Sequence, residues 1–174
     1  LCLHCCLQLK FVHSSNNDLA DSATDDDGPE HGGISKLGEA VVKEMNRLGI
    51  MVDVSHGSDS VFYDAIMLSE APIIASHSNA RSVTNHPRNM SDDMLKLMAE
   101  NGGVVQLTML SNYLRIAPAN PERDSAVAVL RAGRKPAGQM TQEDREKYRS
   151  AMDEINEKYP VSEANVEHVA DHID

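Results

Sequence analysis

Tryptophan is absent from this chain, aromatic residues make up 3% of it, and its three cysteines are crowded into the first six positions. So few rings leave no basic run interleaved with aromatics of the kind that stacks on nucleobases. Positive charge is also scarce: 16 Lys and Arg stand against 27 Asp and Glu, a formal net charge of −11. That balance argues against a stripe of phosphate contacts, so no nucleic-acid partner is expected. No segment approaches the ~20 consecutive apolar residues of a membrane-crossing helix, so no membrane span is expected. Cys2, Cys5 and Cys6 contain one CxxC spacing beside His4, but no second pair follows at finger-like distance. Unpaired thiols are therefore expected there rather than a structural zinc site. The start also lacks the basic segment and small-residue cleavage site of a signal peptide, which leaves localisation open.

With 174 residues, 41% of them hydrophobic, the chain is long enough for one ordinary domain with a real core. Its ends read as cut from something larger. The first residue is Leu, the opening LCLHCCLQLKF shows neither alternation nor helical spacing, and the closing HVADHID stops inside a helical pattern. A piece of a longer protein is the expectation.

The middle of the chain is regular. Leu37, Val41, Met45 and Leu48 recur at helical spacing between a Ser35 cap and a Gly49 stop, which predicts a helix. A short strand over residues 50–54 follows, then a helix with Val61, Phe62, Ala65 and Ile66 on one face. A second unit repeats the form: a strand over 72–76, a polar loop from Ser78 to Asn89, a helix from Ser91 with Met94, Leu95 and Met98 inward, and a strand over 104–110. Nearly continuous apolar strands alternating with helices predict right-handed crossover units in a parallel α/β sheet or barrel. Residues 111–161 change character, with Pro118, Pro121 and a polar helix from Thr141 to about Tyr159 whose Tyr148, Met152 and Ile155 form a thin stripe. This stretch reads as an excursion or insertion. A last helix from near Ser162 would align Val166, Val169 and Ile173.

Two strands end in histidine, in VDVSH at His56 and in IIASH at His77. The C-terminal ends of parallel strands are where α/β folds build active sites. Neighbouring strands lie ~4.8 Å apart, so the two imidazoles are candidates to grip one metal ion, and a catalytic zinc that lowers the pKa of bound water is the chemistry such ligands suit. Arg81 and Arg88 follow in the loop after His77, and a guanidinium beside a metal fits a substrate carboxylate or phosphate. His86, before Pro87, reads as a loop residue. His168 and His172 have the i, i+4 spacing of a helical chelate but lie apart from the strand ends.

HSSNNDLADS from His13, HGGISKLGEAVVKEMNRLGIMVDVSH from His31, and APIIASHSNARSVTNHPRN from Ala71 together resemble the membrane (renal) dipeptidase family, zinc metallopeptidases of the amidohydrolase-type barrel group. The likeness runs over residues 12–110 and resumes weakly at VADHID. It implies a (β/α)8 TIM-barrel type fold, of which this chain holds about half in a single partial domain over 1–174. It implies two zinc ions, a dipeptide substrate and hydrolysis of the peptide bond by a metal-bridging hydroxide. By position, His56 and His77 match the ligands of one zinc, His13 matches a catalytic residue that contacts the substrate near its scissile group, and Arg88 matches the arginine that binds the substrate carboxylate. The family's first-strand HxD pair, bridging glutamate and final-strand aspartate have no counterpart here. His172 and Asp174 spell HxD without a preceding strand, so the isolated chain is expected to be inactive or nearly so. The open edges of a half barrel make a homodimer an expectation. The alternative reading is a non-catalytic, decayed barrel fragment that serves only as a folding or association unit.

Overall fold

The computed structural model describes residues 7–136, 139–161 and 163–173; Cys2, Cys5, Cys6 and Asp174 lie outside them. In the first compact unit, which runs to Ile116 and takes up the chain again from Ala164, four parallel strands make one sheet: β1 (Gln8–Lys10), β2 (Met51–Asp53), β3 (Ile74–Ala75) and β4 (Val104–Val105). Their spatial order is the chain order, with Leu9 opposite Val52, Asp53 opposite Ile74, and Ile74 opposite Val104. Each step between parallel neighbours needs a crossover. α1 (Lys36–Leu48), α2 (Asp59–Leu68) and α3 (Asp92–Glu100) supply the three crossovers, one between each pair of successive strands. The fold is α/β of the TIM-barrel type, incomplete, with four of the eight strands such a barrel has.

Serine caps start all three helices: Ser35, Ser58 and Ser91 accept from the N–H groups of Gly38, Val61 and Met94, which satisfies donors that a helix start leaves unpaired. Gly49 ends α1 at φ 72°, a left-handed conformation that costs glycine little. Val52 and Ala75 of the strands, with Val54 and Ile73 that flank them, pack with Val42 and Met45 of α1, Val61, Phe62 and Ala65 of α2, and Met94 and Met98 of α3.

The inward face of α1 differs from the sequence expectation. Gly38, Val42 and Met45 are buried, while Leu37 and Leu48 are more than half exposed. Gly38 explains the rotation: a Cβ there would strike the carbonyl oxygen of Leu19 and the Ile34 side chain, so the helix comes in close on its glycine and Leu37 is turned outward. The opening segment differs too. It lacks a strand pattern, yet Gln8–Lys10 forms β1 because Met51 N–H donates to Leu7 O at 2.9 Å and the ladder with β2 follows. An edge strand needs only one ladder partner and one covered face, which leaves a weak sequence pattern.

α4 (Ser111–Leu114) and α7 (Val166–Ala170) complete the first unit. The last helix is shorter than expected, and Val166 and Ile173 are exposed rather than aligned on a core. His172 fastens this segment instead: its Nδ1 accepts from Ala80 N–H at 3.0 Å and its Nε2 pairs with Leu114 O at 3.1 Å. The second unit, Ala117 to Glu163, is a helical pair, α5 (Pro121–Ala132) and α6 (Gln142–Lys158). α5 begins with Asn120 as cap and Pro121 in its first turn, a signal that the mixed charge around it obscures. No described helix is long and apolar enough to cross a membrane.

Candidate active site

His56 follows β2 by three residues and has φ 74°, the only described non-glycine residue with positive φ. Such a conformation needs support from its surroundings, and the loop after His13 supplies it. Ala23 N–H donates to His56 O at 2.8 Å, and Ser58 N–H donates to Asp21 O at 3.0 Å, so residues 21–23 bracket 56–58 from both sides. That loop is organised by the fully buried Asp21, whose carboxylate accepts from the N–H groups of Glu30, His31 and Gly33 at 2.8–2.9 Å. Burial pushes the Asp21 carboxyl up, but these donors together pull it further down, below its ordinary value.

His13, His56 and His77 come together at the ends of β1, β2 and β3. The His13 ring stacks on His56 with centroids 4.1 Å apart, and His56 meets His77 edge-on at 4.9 Å. His56 is 9% exposed and its Nδ1 is buried without a hydrogen-bond partner. Burial, helped by the charges of Arg88 and Lys10, lowers its pKa to about 3. The same causes, with Asp53 opposing, hold His77 below its ordinary value. In both rings burial favours the neutral form, the one that offers a lone pair to a cation. His13 is exposed, lies nearly face to face with His56 at an interplanar angle of 26°, and has its Nδ1 paired with Ser14 Oγ at 2.9 Å. Among the described residues no group of three or more His, Cys, Asp or Glu is arranged to hold a metal ion.

Arg88 sits beneath this cluster, 3% exposed. One terminal nitrogen donates to His77 O at 3.1 Å, the guanidinium lies 5.7 Å from the Tyr113 ring centroid, and Nε is buried without a partner. Burial lowers its pKa, yet a guanidinium stays protonated. The loop that carries it is held by side-chain hydrogen bonds. Asn79 bonds to both N–H and C=O of Thr108, and Asn89 donates to the carbonyls of Thr84 and Tyr113.

The structure separates the other candidates from the cluster. Arg81 is occupied by Asp59, with two contacts of 2.6 Å, and by Asn89 O, so it is an ion-pair residue that braces the loop. His86 accepts from Arg88 N–H and packs against Tyr113. His168 closes a capping box at the start of α7 and both nitrogens of His172 are engaged with backbone, so this pair does not form a chelate.

Asp53, Ser55 and Ser76 escaped the sequence reading. Asp53, the last residue of β2, is 2% exposed and accepts from Ser55 N–H, Ser76 N–H and the Ser76 hydroxyl. Ser55 in turn accepts from His77 N–H at 3.0 Å. A carboxylate inside the otherwise apolar run of residues 50–54 was the available signal, because a buried charge requires dedicated partners.

Known proteins share this arrangement of strands and loops. The chain is 49% identical over 102 residues to the dipeptidase verJ of Clonostachys rogersoniana, covering 59% of this chain and 26% of that protein. It is 47% identical over 83 residues to mouse dipeptidase 3, covering 48% and 17%. The crystal structure of the probable dipeptidase PvdM from Pseudomonas aeruginosa superimposes with a TM-score of 0.73 at 30% identity, over 96% of this chain and 46% of that one. A metallopeptidase from Rhodobacter sphaeroides, solved with a phosphinate mimic of the dipeptide L-Ala-D-Ala, superimposes with a TM-score of 0.58 at 29% identity, over 87% and 38%. The chain thus spans about a quarter of the length of its first curated relative and under half of each of these solved chains. Residues 5–174 match the membrane dipeptidase family, peptidase family M19, and the chain belongs to that family of metallopeptidases.

Proposed function

We propose that this chain carries the histidine side of the zinc centre of a dipeptide hydrolase, together with part of its substrate site. The observation that carries the reading is the pair of neutral imidazoles, His56 and His77, 4.9 Å apart between ring centroids at adjacent strand ends. The buried, unpartnered Nδ1 of His56 supports it, since an orphaned polar atom in so enclosed a place calls for a partner that protein atoms do not supply. The pair fits one cation as an incomplete ligand set. The described residues do not fit a second, so the two-ion centre that the resemblance implies draws its other ligands from outside them.

Zinc, when bound, supplies a Lewis acid that polarises the peptide carbonyl and makes water acidic enough to be activated near neutral pH. The chain's own residues do the rest. His56 and His77 hold the ion. Arg88, buried and with a free Nε–H, binds the terminal carboxylate of a dipeptide, for which a planar fork of donors is suited. His13, exposed at the rim, contacts the scissile group and donates to the developing oxyanion. A dipeptide is favoured over a lactone or phosphoester because the carboxylate clamp lies so near the histidines. With this partial ligand set the isolated chain has little or no turnover.

Zinc titration of the full 174-residue chain, alongside His56→Ala and His77→Ala and with dipeptide hydrolysis followed in parallel, tests the reading. Wild type should bind about one zinc, each variant should lose at least ~10-fold in affinity, and hydrolysis should stay near the uncatalysed level. Equal binding in the variants would leave the non-catalytic barrel fragment as the better account, and robust hydrolysis by this chain alone would overturn the incomplete ligand set.

A further inference from the structure

We infer that Asp53 and Ser76 form a two-step relay that fixes the tautomer of His77, making both positioning residues for the metal site. This rests on the reading of His77 as a ligand, but the hydrogen-bond logic stands on geometry alone. Ser76 Oγ lies 2.6 Å from Asp53 Oδ2 and 2.6 Å from His77 Nδ1, with Ser55 Oγ more distant at 3.4 Å. A serine hydroxyl has one hydrogen, and carboxylate oxygens only accept. A 2.6 Å contact to the carboxylate therefore takes the Ser76 hydrogen, and the equally short contact to the ring must be made by a hydrogen on Nδ1. His77 is thereby the Nδ1–H tautomer, with the lone pair on Nε2 left for a cation.

The carboxylate is held for this role. Its other oxygen, Oδ1, accepts from Ser55 N–H at 3.0 Å and Ser76 N–H at 3.2 Å, so the side chain is gripped by the backbone of both histidine-bearing strands. Ser55 Oγ, accepting from His77 N–H at 3.0 Å, ties the backbone of the ligand to the same assembly. No hydrogen bond among the described residues fixes the His56 ring in this way, and its Nδ1 is unpartnered. The two rings thus differ: His77 is preset by the protein, and His56 is oriented by its left-handed backbone. Ligating histidines orient and gain basicity when the second ring nitrogen donates to a carboxylate, directly or through a neighbour, and loss of that partner weakens metal binding by ~10–100-fold.

Long-range proton–nitrogen NMR of the metal-free chain, labelled with 15N at histidine, reads the tautomer directly. Wild type and Ser76→Thr, which keeps the hydroxyl, should show His77 protonated at Nδ1. Ser76→Ala should shift it to a mixture or to the Nε2–H form, with zinc affinity falling ~10–100-fold and recovering in Ser76→Thr. An unchanged Nδ1–H tautomer in Ser76→Ala, or an Nε2–H form in wild type, overturns the proposal. A wild type that shows the Nδ1–H form, lost in Ser76→Ala, while His56→Ala and His77→Ala bind zinc as well as wild type, supports the relay and counts against the metal-site reading instead.

Discussion

Eleven polar or charged side chains are buried in the sheet unit, whereas in the helical pair from Ala117 to Glu163 Val127 is the one buried residue among those described. The two parts are held by different physics. In the sheet unit most of the buried polar side chains are held by hydrogen bonds, with His56 Nδ1 and Arg88 Nε among the atoms left without a partner, and those bonds are what aim the histidines: Asp21 shapes the loop that supports His56, Asp53 reaches Ser76, and Asn79 and Asn89 pin the loop that bears Arg88. In the helical pair most of the polar contacts are local and exposed, namely a capping box at Thr141 and Asp144, an ion pair of Lys135 with Asp144, and Arg134 over the Tyr148 ring, and Arg123 bonds across to Asn156 at 3.1 Å. Lys135 and Thr141 hold the exposed Asp144 carboxyl well below the usual carboxylate range, but water screens such contacts. The site is built where many polar side chains are buried together, whereas the charged side chains of the helical pair are mostly exposed.

Substitutions can sharpen this contrast. Phe62→Ala, at a side chain 1% exposed in the centre of the sheet unit, should cost about 3–5 kcal/mol by the void it leaves, read as a large fall in the urea midpoint. Asp21→Ala should cost about 2–3 kcal/mol near neutral pH because the backbone donors now served by its carboxylate are left in a buried loop. Since the folded carboxyl titrates below its ordinary value of 3.8, the contribution is present above pH ~4 and lost as the pH falls through the folded value. The gap between wild type and Asp21→Ala should therefore narrow on acidification, and a gap that widens would break the account. Thr141→Ala in the helical pair should cost only about 1 kcal/mol through the lost cap, seen as fraying of α6. Smallest of all, Glu143→Gln, which removes the exposed pair with Lys147, should shift stability by about 0.5 kcal/mol or less. An effect as large as that of Asp21→Ala would erase the distinction between the two parts.

Much of the sheet unit is legible in the residue order because its elements carry local signals. The Ser35, Ser58 and Ser91 caps, the Gly49 stop, and the β-branched residues before His56 and His77 each act within a few residues of themselves. β1, α5 and the true inward face of α1 were not legible. β1 depends on a ladder to a strand some forty residues away, α5 has an Asn-Pro start hidden in mixed charge, and α1 is rotated by the approach of Gly38 to Leu19.

For the site, the pattern of residues identified the strand-end histidines and the family motifs, since both are properties of short segments. Only the folded chain decides that His13 stacks on His56, that Arg81 is consumed by Asp59 while Arg88 keeps an unpartnered Nε, and that Asp53 reaches His77 through Ser76. Those outcomes are contacts across 22 to 43 residues of sequence, or choices of a single hydrogen between two acceptors. They follow from which backbone lies beside which once the parallel strands have paired, and no local preference of the residues themselves specifies that.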